Sequence, residues 1–175
     1  TPPIEDFGFG LGGNKNIYLY VPDNSVEAYS TAHGWNEFTV LGQSSAKQFE
    51  IDGIKYKVTS FTTHEVAVTG GDDKTQIVIP NKVNYAGIEY TVTSIEYWAF
   101  SNCRLLSSIS LPQGLRSIGN YAFSYSPYLS SIYLPATVTE IGTGVFNGCS
   151  SLESINVASS NQNYLSIDGV LFTKD

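Results

Sequence analysis

Residues 106–123 read LSSISLPQGLRSIGNYAF and residues 129–146 read LSSIYLPATVTEIGTGVF, so this part of the chain repeats at an interval of 23 residues. Four columns of large apolar residues share the interval: Ile95, Ile118 and Ile141; Phe100, Phe123 and Phe146; Leu106, Leu129 and Leu152; Ile109, Ile132 and Ile155. A fixed interval of this length is typical of one supersecondary unit that is copied and stacked, each copy burying the apolar face of its neighbour. The repeat therefore predicts a solenoid, and it favours a binding surface over a catalytic pocket.

Each repeat is predicted to contain two short strands and one tight turn. The first strand lies at 109–112 and at the equivalent 132–135, and the second strand ends at the repeated isoleucine, such as Ile118. The turn that follows drives an aromatic ring, such as that of Phe123, into the core. No segment of the array is long and periodic enough for a regular helix. We therefore expect a mainly β structure.

The composition is that of a folded protein with few charged side chains. Apolar residues make up 42% of the 175 residues, whereas Asp, Glu, Lys and Arg together make up 14%, which is below the usual quarter. The net charge is −7 and only nine Lys and Arg are present, which argues against nucleic acid because a phosphate backbone needs a basic surface. No apolar stretch approaches the roughly 20 residues of a membrane-spanning helix. We expect neither a nucleic-acid partner nor a membrane span in this chain.

Between residues 48 and 79 the apolar pattern has a period of two. Asp52-Gly53 is a strong hairpin-turn signal between two alternating segments. A Gly-Gly-Asp-Asp turn at 70–73 then precedes a further strand at 77–79. We predict an antiparallel sheet over 48–79 that covers the open first edge of the repeat stack.

The first segment of the chain, residues 1–42, has a pattern of its own. Residues 17–22 alternate like a strand and end at a proline, and a short helix is predicted over Ser25–His33 because Asp23 or Asn24 can cap it. Residues 42–47 have the composition of a linker.

The repeat pattern Leu-x-x-Ile-x-Leu-Pro…Ile-Gly-x-x-Ala-Phe-x-x-Cys-x-x-Leu resembles the BspA-like leucine-rich repeat family, most clearly at 105–123. The preamble, notably 90–95, is similar to the way such arrays begin, and residues 17–38 look like the segment that closes an array. The resemblance implies a right-handed leucine-rich-repeat solenoid on a secreted or surface-attached bacterial protein, often linked to adhesion. It implies no catalytic residues and no cofactor, so we expect a non-enzymatic protein that is extracellular or on the bacterial cell surface.

Three domains follow from these patterns. They are an array-closing-type segment at 1–42 with a strand and a short cap helix, an antiparallel β cap at 48–79, and BspA-like leucine-rich repeats at 80–175. The last is expected to be truncated at its C-terminal end, where 164–172 has the pattern of a hairpin. Because the closing-type segment precedes the opening-type one, we expect the chain to straddle two arrays. The free strand at 17–21 is then expected to dock on an exposed repeat edge, of its own chain or of another copy.

The two cysteines, Cys103 and Cys149, share one column two repeats apart. Parallel strands lie roughly 4.8 Å apart, so two repeats separate the residues by about 10 Å. A disulfide tolerates Cα separations of only about 7 Å. We predict two free, buried thiols.

Catalytic and metal-binding signals are weak. Neither His33 nor His64 lies in a nucleophile or zinc motif, and both are interpreted as structural or surface residues. Asp72 and Asp73 belong to a Gly-rich turn where Asp is expected for backbone reasons, with a calcium site as the minor alternative.

The candidate binding residues are aromatic residues in columns that do not repeat. These residues are Trp98, Tyr121, Tyr125, Tyr128 and Tyr133. Their four columns are Trp98, Tyr121 and Gly144; Asn102, Tyr125 and Gly148; Leu105, Tyr128 and Ser151; and Ser110, Tyr133 and Asn156. Tyr and Trp supply rigid contact area and are enriched at recognition sites, although Tyr also simply suits exposed strands and turns. Two functions remain open. One is an adhesive or scaffold module that binds a host or bacterial protein, and the other is a glycan-binding surface in which Tyr121, Tyr125 and Tyr128 stack on sugars. A spacer that only projects another domain is the third alternative.

Overall fold

The computed structural model describes residues 18–21, 26–31, 39–42 and 48–174. The chain divides into two units, Thr1–Lys47 and Gln48–Asp175.

In the first unit two parallel strands flank a short helix. Strand β1 (Tyr18–Val21) pairs in parallel with β2 (Thr39–Gly42), and helix α1 (Val26–Thr31) lies between them in the chain. The strand and helix predictions are confirmed over these residues, and the remainder of the predicted helix lies outside the described residues. Strand β2 was not predicted, and it takes in the first residue of the expected linker. Strand β1 therefore has a neighbour in its own unit, so the expectation of an unpaired strand was wrong; its docking on a repeat edge stays a prediction.

The second unit opens with the predicted antiparallel strands. Strands β3 (Gln48–Ile51), β4 (Ile54–Ser60) and β5 (Glu65–Gly71) pair in sequence. Asp52 and Gly53 have φ of +54° and +79°, the left-handed backbone of a two-residue hairpin turn.

The remaining strands build the array. They are β6 (Gln76–Val78), β7 (Lys82–Tyr85), β8 (Ile88–Ile95), β9 (Ser108–Ser110), β10 (Ser117–Ile118), β11 (Ser131–Leu134), β12 (Glu140–Ile141), β13 (Ser154–Val157), β14 (Tyr164–Ile167) and β15 (Val170–Thr173). Strands β8, β10 and β12 pair in parallel, and β5 joins β8, so the cap and the array share one seven-stranded sheet, with β7 paired to β8. Strands β6 with β9 and β11 with β13 form the parallel pairs of the other strand column. The result is a β-solenoid of about four turns with the predicted 23-residue spacing.

The strand at 77–79 differs from its expected role. We predicted it in the antiparallel sheet, yet β6 pairs in parallel with β9, with Ile77 opposite Ile109. Ile77 and Ile79 are buried in the core cluster of the array. The inserted β7–β8 hairpin lengthens the first repeat and so conceals from the sequence that β6 is the first rung of the stack.

The repeated columns form the core. The rings of Phe100, Phe123 and Phe146 stack at centroid distances of 5.7 and 5.9 Å with planes 4° apart. Phe100 and Phe123 are fully buried, whereas Phe146, in the last full repeat, is half-buried. Burying such a ring contributes about 2–3 kcal/mol, which is the physical reason that this column repeats.

The turns that carry these rings are also stacked by backbone hydrogen bonds. Phe100 N donates to Ala122 O at 2.7 Å, and Tyr125 N donates to Asn147 O at 2.7 Å. The turn backbone is thus satisfied from one repeat to the next and held in place.

The C-terminal hairpin is confirmed, with Asp168 and Gly169 at its turn in left-handed backbone. Ile155 N donates to Gly169 O at 2.8 Å, so the turn covers part of the free edge of β13. Nearby, the fully buried Asn161 donates to Pro135 O and Val138 O, each at 3.0 Å.

Both cysteines are free, as predicted, but only Cys103 is buried. Cys149 is half-buried because it lies in the last full repeat, so the prediction of two buried thiols was wrong for this residue. Its Sγ donates to Phe123 O at 3.0 Å. Burial, with a contribution from the Asp73 carboxylate, raises the pKa of Cys103 to about 11.

Candidate binding surface

Two of the five predicted binding residues belong to one cluster of rings. This aromatic cluster consists of Tyr97, Trp98 and Tyr121. Tyr97 and Trp98 stack with centroids 4.5 Å apart and planes 20° apart, and Tyr121 meets them edge-on at 6.2 and 6.4 Å. Tyr97 and Trp98 remain 52% and 56% exposed. Their mutual contact fixes the orientation of large rings that stay open to a partner.

Two more of the predicted residues line a shallow depression of about 500 Å³. This tyrosine groove is lined by Asn102, Arg104, Leu105, Tyr125, Pro127, Tyr128 and Gly148. Leu105, Tyr125 and Tyr128 are 55%, 58% and 61% exposed, which is unusual for such large apolar bodies when they lie side by side.

Tyr133 belongs to neither group. It lies on the outer face of β11, in register with Asn156 of β13, and its ring is exposed. The structure thus brings together Trp98 with Tyr121, and Tyr125 with Tyr128, and leaves the fifth residue on a strand.

The backbone at three of these aromatic residues is left-handed. Trp98, Tyr121 and Tyr125 have φ of +58°, +56° and +56°, a region that bulky side chains rarely adopt. Such a residue costs about 1 kcal/mol or more relative to glycine. The third repeat has Gly144 and Gly148 at the equivalent positions, with φ of +64° and +75°. Aromatic residues therefore occupy these turns in spite of a conformational cost, which strengthens the interpretation that they serve recognition.

The tyrosine groove has one cation, Arg104. In the repeat region, the described ion pairs join Lys82 to Glu89 and Arg116 to Glu65. Within the described residues Arg104 has neither an ion pair nor a side-chain hydrogen bond, while the nearby Asp73 carboxylate accepts the Leu105 N–H at 2.9 Å. The guanidinium is exposed and available to a carboxylate of a partner.

The catalytic and metal alternatives gain no support from the geometry. His64 lies edge-on to Tyr90 at 5.8 Å, in accord with a structural role, and His33 lies outside the described residues. Asp72 pairs with Lys74 at 3.6 Å. Across the described residues, no group of three or more His, Cys, Asp or Glu side chains is arranged to hold a metal ion. Nor does any helix in the described ranges have the length and apolar character needed to cross a membrane.

Sequence reasoning missed Tyr97, Arg104 and Pro127. Tyr97 shares its column with Asn120 and Thr143, and Arg104 and Pro127 share theirs with Ser150. Both columns fail to repeat. The rule that selected aromatic residues in such columns applies equally to Tyr97, whereas it does not identify Arg104 or Pro127.

Parallel strands at a 23-residue interval, with stacked Ile, Leu and Phe ladders inside, define a leucine-rich-repeat solenoid. The family model described as BspA type leucine rich repeat region (6 copies) matches residues 75–173, and the chain belongs to this family. Among solved structures, a leucine-rich repeat protein from Bacteroides ovatus ATCC 8483 is similar, with 35% identity and a TM-score of 0.60 over 65% of this chain and 30% of that chain. A leucine-rich repeat protein from Bacteroides capillosus ATCC 29799 is 22% identical, with a TM-score of 0.49 over 64% of this chain and 99% of that chain. Among curated proteins, none matches this chain.

Proposed function

We propose that this chain is a non-enzymatic protein-binding module, serving adhesion or scaffolding, of a secreted or cell-surface bacterial protein. Repeat regions of this type are generally protein-interaction or surface scaffolds and are generally non-catalytic. The chain spans 30% of the length of the Bacteroides ovatus protein.

The tyrosine groove is the observation that carries the proposal. Tyr and Arg are among the residues most enriched at binding hot spots, because each combines contact area with directed hydrogen bonding. Tyr125 and Tyr128 place exposed rings beside Leu105, and Arg104 offers an unpaired charge at the same place. Repeat-to-repeat backbone bonds hold these turns, so little ordering entropy is lost on binding.

The lining of the groove favours a protein partner. Leu105 and Pro127 give it aliphatic walls, which suit an apolar side chain. The Arg104 guanidinium can hold a carboxylate of the partner in a bidentate pair. The best-fitting partner segment therefore has an apolar anchor next to an Asp or Glu.

An array of host extracellular-matrix proteins, bacterial surface proteins and glycans tests the proposal. We expect the wild-type chain to bind at least one protein, and the Tyr125→Ser/Tyr128→Ser double variant to lose that binding. Tyr133→Ser is the matched control, since it removes an exposed tyrosine outside the groove. Binding to sugars alone that is lost in the double variant would contradict the proposal, and so would an array with no bound protein.

A further inference from the structure

A second concave surface lies where strands β8, β10 and β12 end. This strand-end groove has a volume of about 460 Å³ and is lined by Ser94, Glu96, Tyr97, Ser117, Asn120 and Glu140. Each of three successive repeats contributes one rung, since Ser94, Ser117 and Glu140 are in register across the sheet. The lining differs from that of the tyrosine groove in carrying two carboxylates, those of Glu96 and Glu140, and no Lys or Arg.

Two glycines, Gly119 and Gly142, also line the strand-end groove. A Cβ on Gly119 would lie 2.6 Å from Tyr97 N, and a Cβ on Gly142 would lie 2.5 Å from Asn120 N. Neighbouring repeats approach so closely here that only glycine fits. The two glycines therefore set the close spacing of the turns that line the groove.

The polar side chains of the groove are available. In the described part of the chain, the Ser94 and Ser117 hydroxyls and the Glu96 carboxylate make no hydrogen bond or ion pair. The same holds for Glu140. Asn120 Oδ1 accepts the Thr143 N–H at 2.8 Å, which leaves the Asn120 amide NH₂ as a donor. The side chains of the strand-end groove therefore offer many hydrogen-bond acceptors and a few donors.

One wall of the groove is aromatic. Tyr97 lines it, and Trp98 backs one face of the Tyr97 ring at 4.5 Å. The ring is 52% exposed, with Trp98 stacked on it and Tyr121 perpendicular to it at 6.2 Å, so part of its surface remains open to a ligand. An aromatic face packs well against the C–H face of a pyranose ring.

We infer that the strand-end groove binds a neutral oligosaccharide. Sugar hydroxyls donate to the Glu96 and Glu140 carboxylates in charge-assisted bonds, accept from the Asn120 amide, and exchange hydrogen bonds with Ser117. No Lys or Arg lines the groove, so carboxylated or sulfated sugars are repelled. The site and its ligand are separate from the protein-binding proposal.

The spacing of the charges argues against a single cationic group as the ligand. Ser94 and Glu140 are two rungs apart, and rungs repeat at roughly 4.8 Å, so Glu140 lies about 10 Å from the rung next to Glu96. At that separation the two carboxylates cannot both pair with one ammonium or guanidinium group. The length covered by the three rungs is about that of two linked pyranose rings.

Calorimetric titration of the full chain tests the inference, with cellohexaose, maltohexaose, chitohexaose and mannohexaose as neutral probes. Hexagalacturonate and hexalysine are the charged probes. We expect at least one neutral hexasaccharide to bind with a Kd of about 0.1–1 mM, and no binding of hexagalacturonate. Tyr97→Ala should weaken that binding at least about tenfold, and Glu140→Gln several-fold. Tyr128→Ala, in the other groove, is the control and should leave it unchanged.

The inference is overturned if no neutral hexasaccharide binds at about 10 mM, or if Tyr97→Ala binds as the wild type does. It is also overturned if hexalysine binds more tightly than every sugar, or if Tyr128→Ala weakens binding as much as Tyr97→Ala. Because Tyr97 and Glu140 are exposed, the variants should keep the wild-type unfolding midpoint, which is measured alongside.

Discussion

The ring of Tyr121 lies directly over the α-carbon of Gly144, the residue at the same position one repeat later; a Cβ on Gly144 would overlap Tyr121 Cε1. Tyr125 covers Gly148 in the same way, so that a Cβ there would lie 2.7 Å from Tyr125 Cδ1. Both tyrosines are thus built into the stacking of the turns. Glycine in the next repeat makes room for each ring.

Replacing Gly148 should therefore be more costly than a left-handed backbone alone explains. Gly148→Ala adds a Cβ at φ +75° against the Tyr125 ring, whereas Gly87→Ala adds one at φ +80° with nothing within 4 Å. We expect a loss of about 1 kcal/mol in the free energy of unfolding for Gly87→Ala and about 2 kcal/mol for Gly148→Ala. Urea denaturation of the two variants measures the difference. Equal losses would show that the ring does not rest on Gly148.

The phenylalanine stack should be most sensitive at its centre. Phe123 is fully buried between Phe100 and Phe146, at 5.7 and 5.9 Å. We expect Phe123→Ala to lower the free energy of unfolding by about 3–5 kcal/mol. Phe146→Ala is the matched control and should cost clearly less, because that ring is half-buried. If the two variants unfold at the same denaturant concentration, the centre of the phenylalanine stack is not its most sensitive position.

Stability should fall at high pH because of Cys103. Its pKa is raised from the ordinary 9.0 to about 11, chiefly by burial, so the folded chain keeps a proton that the unfolded chain releases above pH 9. The stabilisation is fully present below pH 9 and is lost as the pH rises to 11, by about 2 kcal/mol in total. Urea denaturation at pH 8 and pH 11 measures the loss, and Cys103→Ala should show a smaller one. An identical pH dependence in that variant would contradict the assignment.

Asn161 should be essential to the C-terminal end of the stack. Its Nδ2 donates to Pro135 O and Val138 O, and its Oδ1 accepts from Asn163 N and Tyr164 N at 2.8 Å each. We expect Asn161→Ala to lower the free energy of unfolding by about 2–4 kcal/mol, since buried backbone groups lose their partners. Gln162→Ala, at an exposed neighbour, should change it by less than about 0.5 kcal/mol. Similar thermal midpoints for both variants would count against this role.

The core of the fold could be predicted from the sequence because a solenoid must bury the same residue in every repeat, as the Phe100 and Ile95 columns show. The place of β6 was missed because the inserted hairpin puts Ile77 at 32 residues from Ile109 instead of the 23 of the other repeats. Left-handed backbone at Trp98 and Tyr125 was also hidden, because only the glycines of the third repeat mark it.

The candidate site was predictable in part for a similar reason. Columns that fail to repeat identified Tyr125 and Tyr128, but they carry no information on which side chains converge. That Arg104 lacks a partner within the described residues, or that Tyr133 lies on a strand away from the grooves, depends on the three-dimensional arrangement of the repeats.

The affinity of the chain for a protein identified on the array tests the central claim most directly. By surface plasmon resonance we expect Tyr125→Ser/Tyr128→Ser to weaken binding about 100-fold, since two hot-spot rings are lost. Arg104→Glu should weaken it at least about tenfold at low salt, where charge repulsion is least screened, and Tyr133→Ser should leave it nearly unchanged. A double variant that binds within about twofold of the wild type would contradict the assignment of the tyrosine groove as the protein-binding site.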